Sequence, residues 1–154
     1  MSTLLAVSRP TEWNLPLFVH VLGAMILVGG LLTGASAIAL ARGDVRLLRL
    51  GYWTLLLVAL PGYVLMRIGA EWSYTRQGWD DFPDDASPAW ISIGYIVADL
   101  GALLVLVALI LGGIGVRRLR DGKGTRLLQA AMVLALVVLA AALVAVWAMS
   151  GKPN

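Results

Sequence analysis

The chain has 154 residues, of which 60% are hydrophobic and only 14% are charged, whereas soluble domains have about 25% charged residues. This composition excludes an ordinary soluble domain and predicts an integral membrane protein. The absence of cysteine excludes disulfides, thiolate metal sites and a cysteine nucleophile. The net charge of +3 does not indicate a nucleic-acid partner, because the basic residues cluster in two short connections where anionic lipid headgroups are expected.

The first apolar stretch predicts a transmembrane helix over residues 14–41, and it contains the single histidine of the chain, His20. No charged residue lies between Trp13 and Ala41, and at about 1.5 Å per residue this length crosses a hydrocarbon core of about 30 Å. Small residues on the face of His20 predict close packing against another helix; they are Gly23, Gly30 and Gly34. A cleaved signal peptide is the less favoured alternative, because the apolar stretch is too long and arginines follow it at once.

The second stretch predicts a helix over residues 47–72 with a kink at Pro61. Proline removes one helical hydrogen bond, which membrane helices tolerate where neighbouring groups satisfy the freed carbonyl. Arg67 and Glu71 lie one turn apart near the far end of this helix. Residues 73–88 follow as the one sizeable loop, and this loop is acidic.

The third stretch predicts a helix over residues 89–116 with Asp99 as its single charged residue, and the fourth predicts an uncharged helix over residues 127–150. The third helix has its own small-residue face, which we expect to pack against that of the first helix; it includes Gly94, Gly101 and Gly112. The chain is therefore predicted to be all-α, with one domain over residues 1–154 that forms an antiparallel four-helix membrane bundle.

The basic residues also predict how this bundle is oriented. Three arginines follow the first helix and five basic residues follow the third, whereas the loop between the second and third helices is acidic. The positive-inside rule then places both basic connections in the cytoplasm and both termini outside. The expected location is a bacterial cytoplasmic (inner) membrane, which the short loops and lack of cysteine suit. The lipid bilayer is the expected partner, and a homo-oligomer or another membrane subunit would be a further one.

Ionisable residues on three helices are predicted to lie at one level in the outer half of the membrane. They are His20, Arg67 and Asp99, bordered by Glu71, Tyr63 and Tyr95. Charges at such depth cost on the order of 2.5–3.5 kcal/mol each, so the group predicts an outward-opening polar pocket that binds a small ligand, ion, proton or haem. The protein would then be a transport or redox accessory. The alternative is a structural or interaction subunit, in which an Arg67–Asp99 pair and a hydrogen-bonded His20 only lock helix packing.

His20 is also the candidate ligand for haem or a metal ion, because imidazole titrates near neutral pH and binds metals through a neutral nitrogen. One histidine cannot supply both axial ligands of a bis-histidine haem, so the second axial position would be taken by Met66, left open, or filled by a second copy of the chain. His20, Glu71 and Asp99 have ligand types suited to zinc or copper, although no local motif supports that set. We find no pattern typical of a nucleophile or a phosphate loop, and we therefore favour a non-enzymatic role.

The stretch from His20 to Gly30, with a glycine after the histidine and a final Gly-Gly pair, resembles the first helix of several bacterial membrane families. These are the copper-resistance-D-like proteins and a related family of predicted four-helix integral membrane proteins of unknown function. Pro61-Gly62-Tyr63, the tryptophan-rich loop and Gly94-Tyr95 are similar to the order of elements in the second family. The resemblance implies a compact bundle in which His20 faces the interior near the outer surface, as a metal or haem position. Copper-resistance-D-like proteins carry further histidines, which this chain lacks.

Overall fold

The computed structural model describes residues 14–78, 81 and 89–150, and this part of the chain is all-helical. Within it, four long helices follow one another, and a 3₁₀ turn (Leu119–Asp121) follows the third. The helices are α1 (Asn14–Leu40), α2 (Val45–Arg76), α3 (Ala89–Arg118) and α4 (Thr125–Ser150). Each of the four is long and apolar enough to cross a membrane. Over the described residues, the prediction of an all-α fold with four such helices is confirmed.

The second helix extends beyond its predicted bounds at both ends. At its start, the Asp44 side chain accepts a hydrogen bond from the Arg46 backbone N–H at 2.7 Å, which satisfies a donor of the first turn. At its end, the Thr75 hydroxyl donates to the carbonyl of Trp72 at 3.1 Å. The predicted loop 73–88 therefore begins after Arg76, and most of its residues lie outside the described part of the chain.

The irregularity predicted at Pro61 takes the form of a π turn directly before the proline. α2 consists of an α-helical segment (Val45–Thr54), a π turn (Leu55–Ala59) and a second α-helical segment (Leu60–Arg76). Pro61 has no N–H for the carbonyl one turn earlier, whereas in the π turn the Leu60 N–H reaches the carbonyl of Leu55. The proline thus lies at the start of the second segment, where a missing N–H costs least.

Glycines on both helices bring the backbones of α1 and α2 into direct contact. A Cβ on Gly30 would lie 2.6 Å from the backbone nitrogen of Ala59, and a Cβ on Gly62 would lie 2.5 Å from that of Leu27. Such approach requires residues without a side chain. We call this contact the glycine seam; it comprises Gly23, Gly30 and Gly34 of α1 and Gly51, Gly62 and Gly69 of α2. Successive contacts run in opposite directions along the two helices, so the pair is antiparallel.

The other two helices, α3 and α4, form a second antiparallel pair. A Cβ on Gly115 would lie 3.1 Å from the carbonyl oxygen of Gly124, and one on Gly101 would lie 3.9 Å from a methyl group of Val138. One buried cluster joins the two pairs, with members from all four helices that include Leu27, Leu55, Leu109 and Leu128. The described residues therefore pack around a single core.

The expected pairing of the small-residue faces of α1 and α3 is wrong. α1 packs against α2 and α4. The face of α3 is covered by other groups, since Gly112 receives the ring of Tyr52 from α2 and Gly101 lies against α4; Gly94 lies in the second turn of α3. A small-residue face indicates that some helix approaches closely, but short connections favour pairing between helices that are neighbours in sequence.

Candidate functional site

The second half of α2 has two different faces. Gly62, Met66 and Gly69 follow one another at spacings of four and three residues and lie against α1. Tyr63, Arg67 and Glu71 also follow one another at spacings of four residues, so they share a second face, which begins one residue later than the first. This second face lies towards α3. The helical repeat therefore separates an apolar contact surface from a polar one on the same helix.

Arg67 lies at the centre of the polar face and contacts two carboxylates. Its Nη2 atom lies 3.1 Å from Oε1 of Glu71 and 3.1 Å from Oδ1 of Asp99. The first pair joins residues four apart on one helix, whereas the second connects α2 to α3. One guanidinium is thus shared by two carboxylates, and the group has a formal charge of −1.

Tyr95 of α3 completes the group. Its hydroxyl donates a hydrogen bond to Oε2 of Glu71 at 3.2 Å, and its ring lies 4.9 Å from Cζ of Arg67, within the range of a cation–π contact. The ring of Tyr74 packs edge-on against Tyr95, with 5.6 Å between centroids. We refer to Arg67, Glu71, Tyr95 and Asp99 together as the Arg67 cluster.

Tyr63 ties the backbone of α3 to α2 beside this cluster. Its hydroxyl donates to the carbonyl oxygen of Ala98 at 3.0 Å. Ala98 directly precedes Asp99, so this hydrogen bond restricts where the Asp99 carboxylate can lie. Tyr63 therefore acts as a positioning residue for the cluster.

The carboxylates of the Arg67 cluster are much more accessible than its guanidinium. The exposed fraction of the side chain is 29% for Arg67, 48% for Glu71 and 66% for Asp99. The second half of α2 packs chiefly against α1, so α3 leaves this side open. The site is therefore an open polar surface with a positive centre and accessible carboxylates at its edge.

His20 belongs to α1 and lies against a different face of α2, in the glycine seam. Its Nδ1 atom is 2.9 Å from the backbone oxygen of Met66, and its backbone lies against Gly69. A carbonyl oxygen only accepts hydrogen bonds, so Nδ1 is assigned the proton and Nε2 is the ring nitrogen left for another partner. The structure thus brings together Tyr63, Arg67, Glu71, Tyr95 and Asp99, and it places His20 between α1 and α2.

Candidate metal ligands are not gathered in one place. Within residues 14–78, 81 and 89–150, no three His, Cys, Asp or Glu side chains form a group that could hold a metal ion. His20, Glu71 and Asp99, the set considered for zinc or copper, are therefore not assembled into a site. Met66 offers His20 its backbone oxygen, whereas haem coordination would use the thioether sulfur.

One contact of α2 had no signal in the sequence. The ring of Tyr52 lies against α3, where a Cβ on Gly112 would be 2.6 Å from the ring and one on Gly113 would be 3.0 Å from the hydroxyl. The small residues of α3 predict a close neighbour, but nothing in the sequence indicates that this neighbour is an aromatic ring. Tyr52 holds the first segment of α2 against α3, on the side of the π turn away from the Arg67 cluster.

Comparison of the chain with known protein families, curated proteins and solved structures found no match. The functional interpretation is therefore based on the geometry and charge of the Arg67 cluster.

Proposed function

We propose that the chain is a multi-pass protein of a bacterial cytoplasmic membrane, with both termini outside, that binds a monovalent cation or a proton at the Arg67 cluster. The four long apolar helices support insertion in a membrane. The concentration of basic residues in the two connections at one end of the bundle supports the orientation.

The depth of the Arg67 cluster in the membrane can be estimated from the positions of the basic residues at the ends of the helices. About 20 helical residues cross the hydrocarbon core, so a crossing that begins after Arg49 extends over residues 50–69. On α3, the crossing that ends before Arg117 extends over residues 97–116. By this measure we expect Arg67 and Asp99 just inside the outer boundary of the core, and Glu71 just outside it. Water and ions from the outside would then reach the accessible carboxylates.

The single observation that carries this proposal is the sharing of one guanidinium by two exposed carboxylates. Arg67 neutralises one of the two negative charges, and the remaining charge lies at the edge of a low-dielectric region, where electrostatic attraction is stronger than in water. Carboxylate oxygens are suitable ligands for hard cations and for protons.

Occupancy of the site would be coupled to the contact between α2 and α3. A proton or cation on Asp99 reduces the attraction that holds Arg67 at 3.1 Å, and it thereby weakens the ion pair between the two helices. Since α2 contains a π turn and Pro61 below the cluster, its outer segment has a place where it could bend. Such coupling suits a transport accessory.

The test is a calorimetric titration of the full chain in neutral detergent with sodium, potassium or tetramethylammonium chloride at constant ionic strength. Asp99→Asn and Glu71→Gln should weaken binding of whichever cation binds, and pH titration should show proton release upon cation binding. Asp121→Asn removes an exposed carboxylate at the opposite end of the bundle and serves as the matched control. Absence of both cation binding and cluster-dependent proton exchange would reject the proposal.

A structural or interaction subunit is the second candidate, and one observation favours it. The Arg67–Asp99 pair is the ion pair that connects α2 to α3 in the described part of the chain, so it could serve only to hold the bundle together. In that case Asp99→Asn would lower thermal stability, and added sodium, potassium or tetramethylammonium would show no binding that depends on the cluster. The partner would then be a second copy of the chain or another membrane subunit.

A further inference from the structure

A strongly basic surface lies at the end of the bundle opposite the Arg67 cluster. It contains eight exposed basic side chains and two exposed acidic ones, which leaves six positive charges in excess. The basic residues are Arg42, Arg46, Arg49, Arg117, Arg118, Arg120, Lys123 and Arg126. None of the eight forms an ion pair with a carboxylate of the described residues. We call this surface the basic end.

The two connections that contribute these residues lie side by side. Leu48 from the first turn of α2, Leu119 from the 3₁₀ turn and Leu128 from the first turns of α4 are buried in one cluster. Tyr52 packs on Gly112 slightly further along the same helices. The basic side chains of both helix pairs therefore surround a shared apolar base, and they form one surface.

Arg42 has a strained backbone conformation. Its φ angle is +44°, and among the described residues that are not glycine, Arg42 alone has a positive φ. The following residue, Gly43, has a φ of +95°. A glycine at position 42 would adopt this conformation without steric cost. The arginine at this position holds the backbone in a strained conformation, and such strain is found at binding sites.

Exposed apolar side chains adjoin the basic end. Leu40 is 68% exposed beside Arg42, and Leu50 is 56% exposed beside Arg49. A surface that binds nucleic acid has no need of such neighbours, whereas a phospholipid presents a phosphate and acyl chains at adjacent levels. Seven of the eight basic residues are arginines, whose planar guanidinium binds phosphate oxygens through two hydrogen bonds.

We propose that the basic end binds the headgroups of anionic phospholipids, and that this layer of lipid links the α1–α2 pair to the α3–α4 pair. The lipid contact thus acts at the opposite end from the Arg67–Asp99 pair. This binding rests on the membrane insertion proposed above, but it is independent of cation binding at the Arg67 cluster.

The test uses the full chain in neutral detergent micelles, titrated separately with short-chain phosphatidylglycerol, short-chain phosphatidylcholine, inorganic phosphate and a short RNA. Apparent affinity is taken from the shift in melting temperature. We expect phosphatidylglycerol to bind with the highest affinity and to raise the melting temperature. Arg42→Gly should weaken this binding about fivefold. The double variant with Arg117→Gln and Arg120→Gln should weaken it about fivefold for each of the two arginines removed. Arg42→Lys keeps the charge but loses the paired hydrogen bonds of the guanidinium, so it should bind more tightly than Arg42→Gly and less tightly than the unsubstituted chain.

Arg42→Gly separates loss of lipid binding from loss of fold. It relieves the positive φ, so its melting temperature without added lipid should not fall below that of the unsubstituted chain. Equal affinity for phosphatidylglycerol and phosphatidylcholine would overturn the proposal, as would full binding by inorganic phosphate or tighter binding by RNA. Flotation of the chain with vesicles after alkaline washing tests insertion separately, and its failure would overturn the membrane assignment itself.

Discussion

The two faces of α2 hold their neighbours in opposite ways. The glycine seam brings α1 and α2 together backbone to backbone, and at Gly30 or Gly62 there is no room for one additional carbon atom. The Arg67 cluster reaches α3 through long side chains, and its carboxylates are about half to two thirds exposed. The first contact depends on shape and the second on charge.

This difference indicates which contact can change during function. Close packing is lost steeply when helices separate, because dispersion attraction falls off within about 1 Å. An ion pair at an accessible edge exchanges its partner for water, a proton or another cation at a much smaller cost. We therefore expect α1 and α2 to behave as one unit, and the polar contact between α2 and α3 to be the one that can change.

The largest expected effect is on the glycine seam, and two adjacent glycines provide the test. In Gly30→Ala the new methyl group would lie 2.6 Å from the backbone nitrogen of Ala59, so the helices must move apart. We expect a loss of about 3 kcal/mol in the free energy of unfolding. In the matched control, Gly29→Ala, nothing lies within 4 Å of the new atom, and the helix should gain about 0.5–1 kcal/mol. Unfolding in mixed detergent micelles measures the free energy of unfolding of both variants. Equal stability of the two would contradict the close backbone contact in the glycine seam.

Replacing the centre of the cluster should have the next largest effect. Arg67→Ala leaves Glu71 and Asp99 without their shared cation at the edge of an apolar region. Because both carboxylates are accessible, the expected loss is about 1–3 kcal/mol, below that for a fully buried pair. A double-mutant cycle with Asp99→Asn isolates the pair between α2 and α3. Coupling indistinguishable from zero would show that this pair does not join the helices.

Substitution of His20 should have a smaller effect on the contact between α1 and α2, and it also tests the prediction of haem or metal binding. His20→Ala removes the hydrogen bond to the Met66 carbonyl, and the expected loss is about 1 kcal/mol. The absorption spectrum and metal content of the purified chain, oxidised and reduced, are measured on the same samples. A Soret band that disappears in His20→Ala would assign His20 as an axial ligand. A colourless, metal-free chain grown with ample haem would remove that role.

The smallest expected effect is that of Tyr95→Phe. This variant keeps the ring next to Arg67 and removes only the hydroxyl that donates to Glu71 at 3.2 Å. Because Glu71 is accessible to water, stability should change by about 0.5 kcal/mol or less. Under the cation-binding proposal, affinity should change measurably because a Glu71 oxygen is freed. If stability falls as much as in Arg67→Ala, the hydroxyl has a structural role that the geometry does not explain.

Parts of the site could be predicted because they depend on one helix or on composition. The pairing of Arg67 with Glu71 follows from a spacing of four residues on a helix. The need of Asp99 for a partner follows from its position in an apolar stretch. The separation of His20 from the cluster could not be predicted, because it depends on which side of α2 each neighbouring helix occupies, and similar depth along a helix says nothing about direction around it.

The four helices could be predicted from the amino-acid sequence alone, because long apolar stretches bounded by arginines, glycines and prolines have no other satisfactory arrangement for their backbone groups. The charged residues within the apolar stretches can also be read from the sequence. The choice of neighbours is known from the fold: α1 pairs with α2, Tyr52 fills the space at Gly112, and Arg67 reaches Asp99 while His20 does not. The physical reason is that small-residue faces are alike in sequence, and the choice among them depends on simultaneous packing of all four helices around one core.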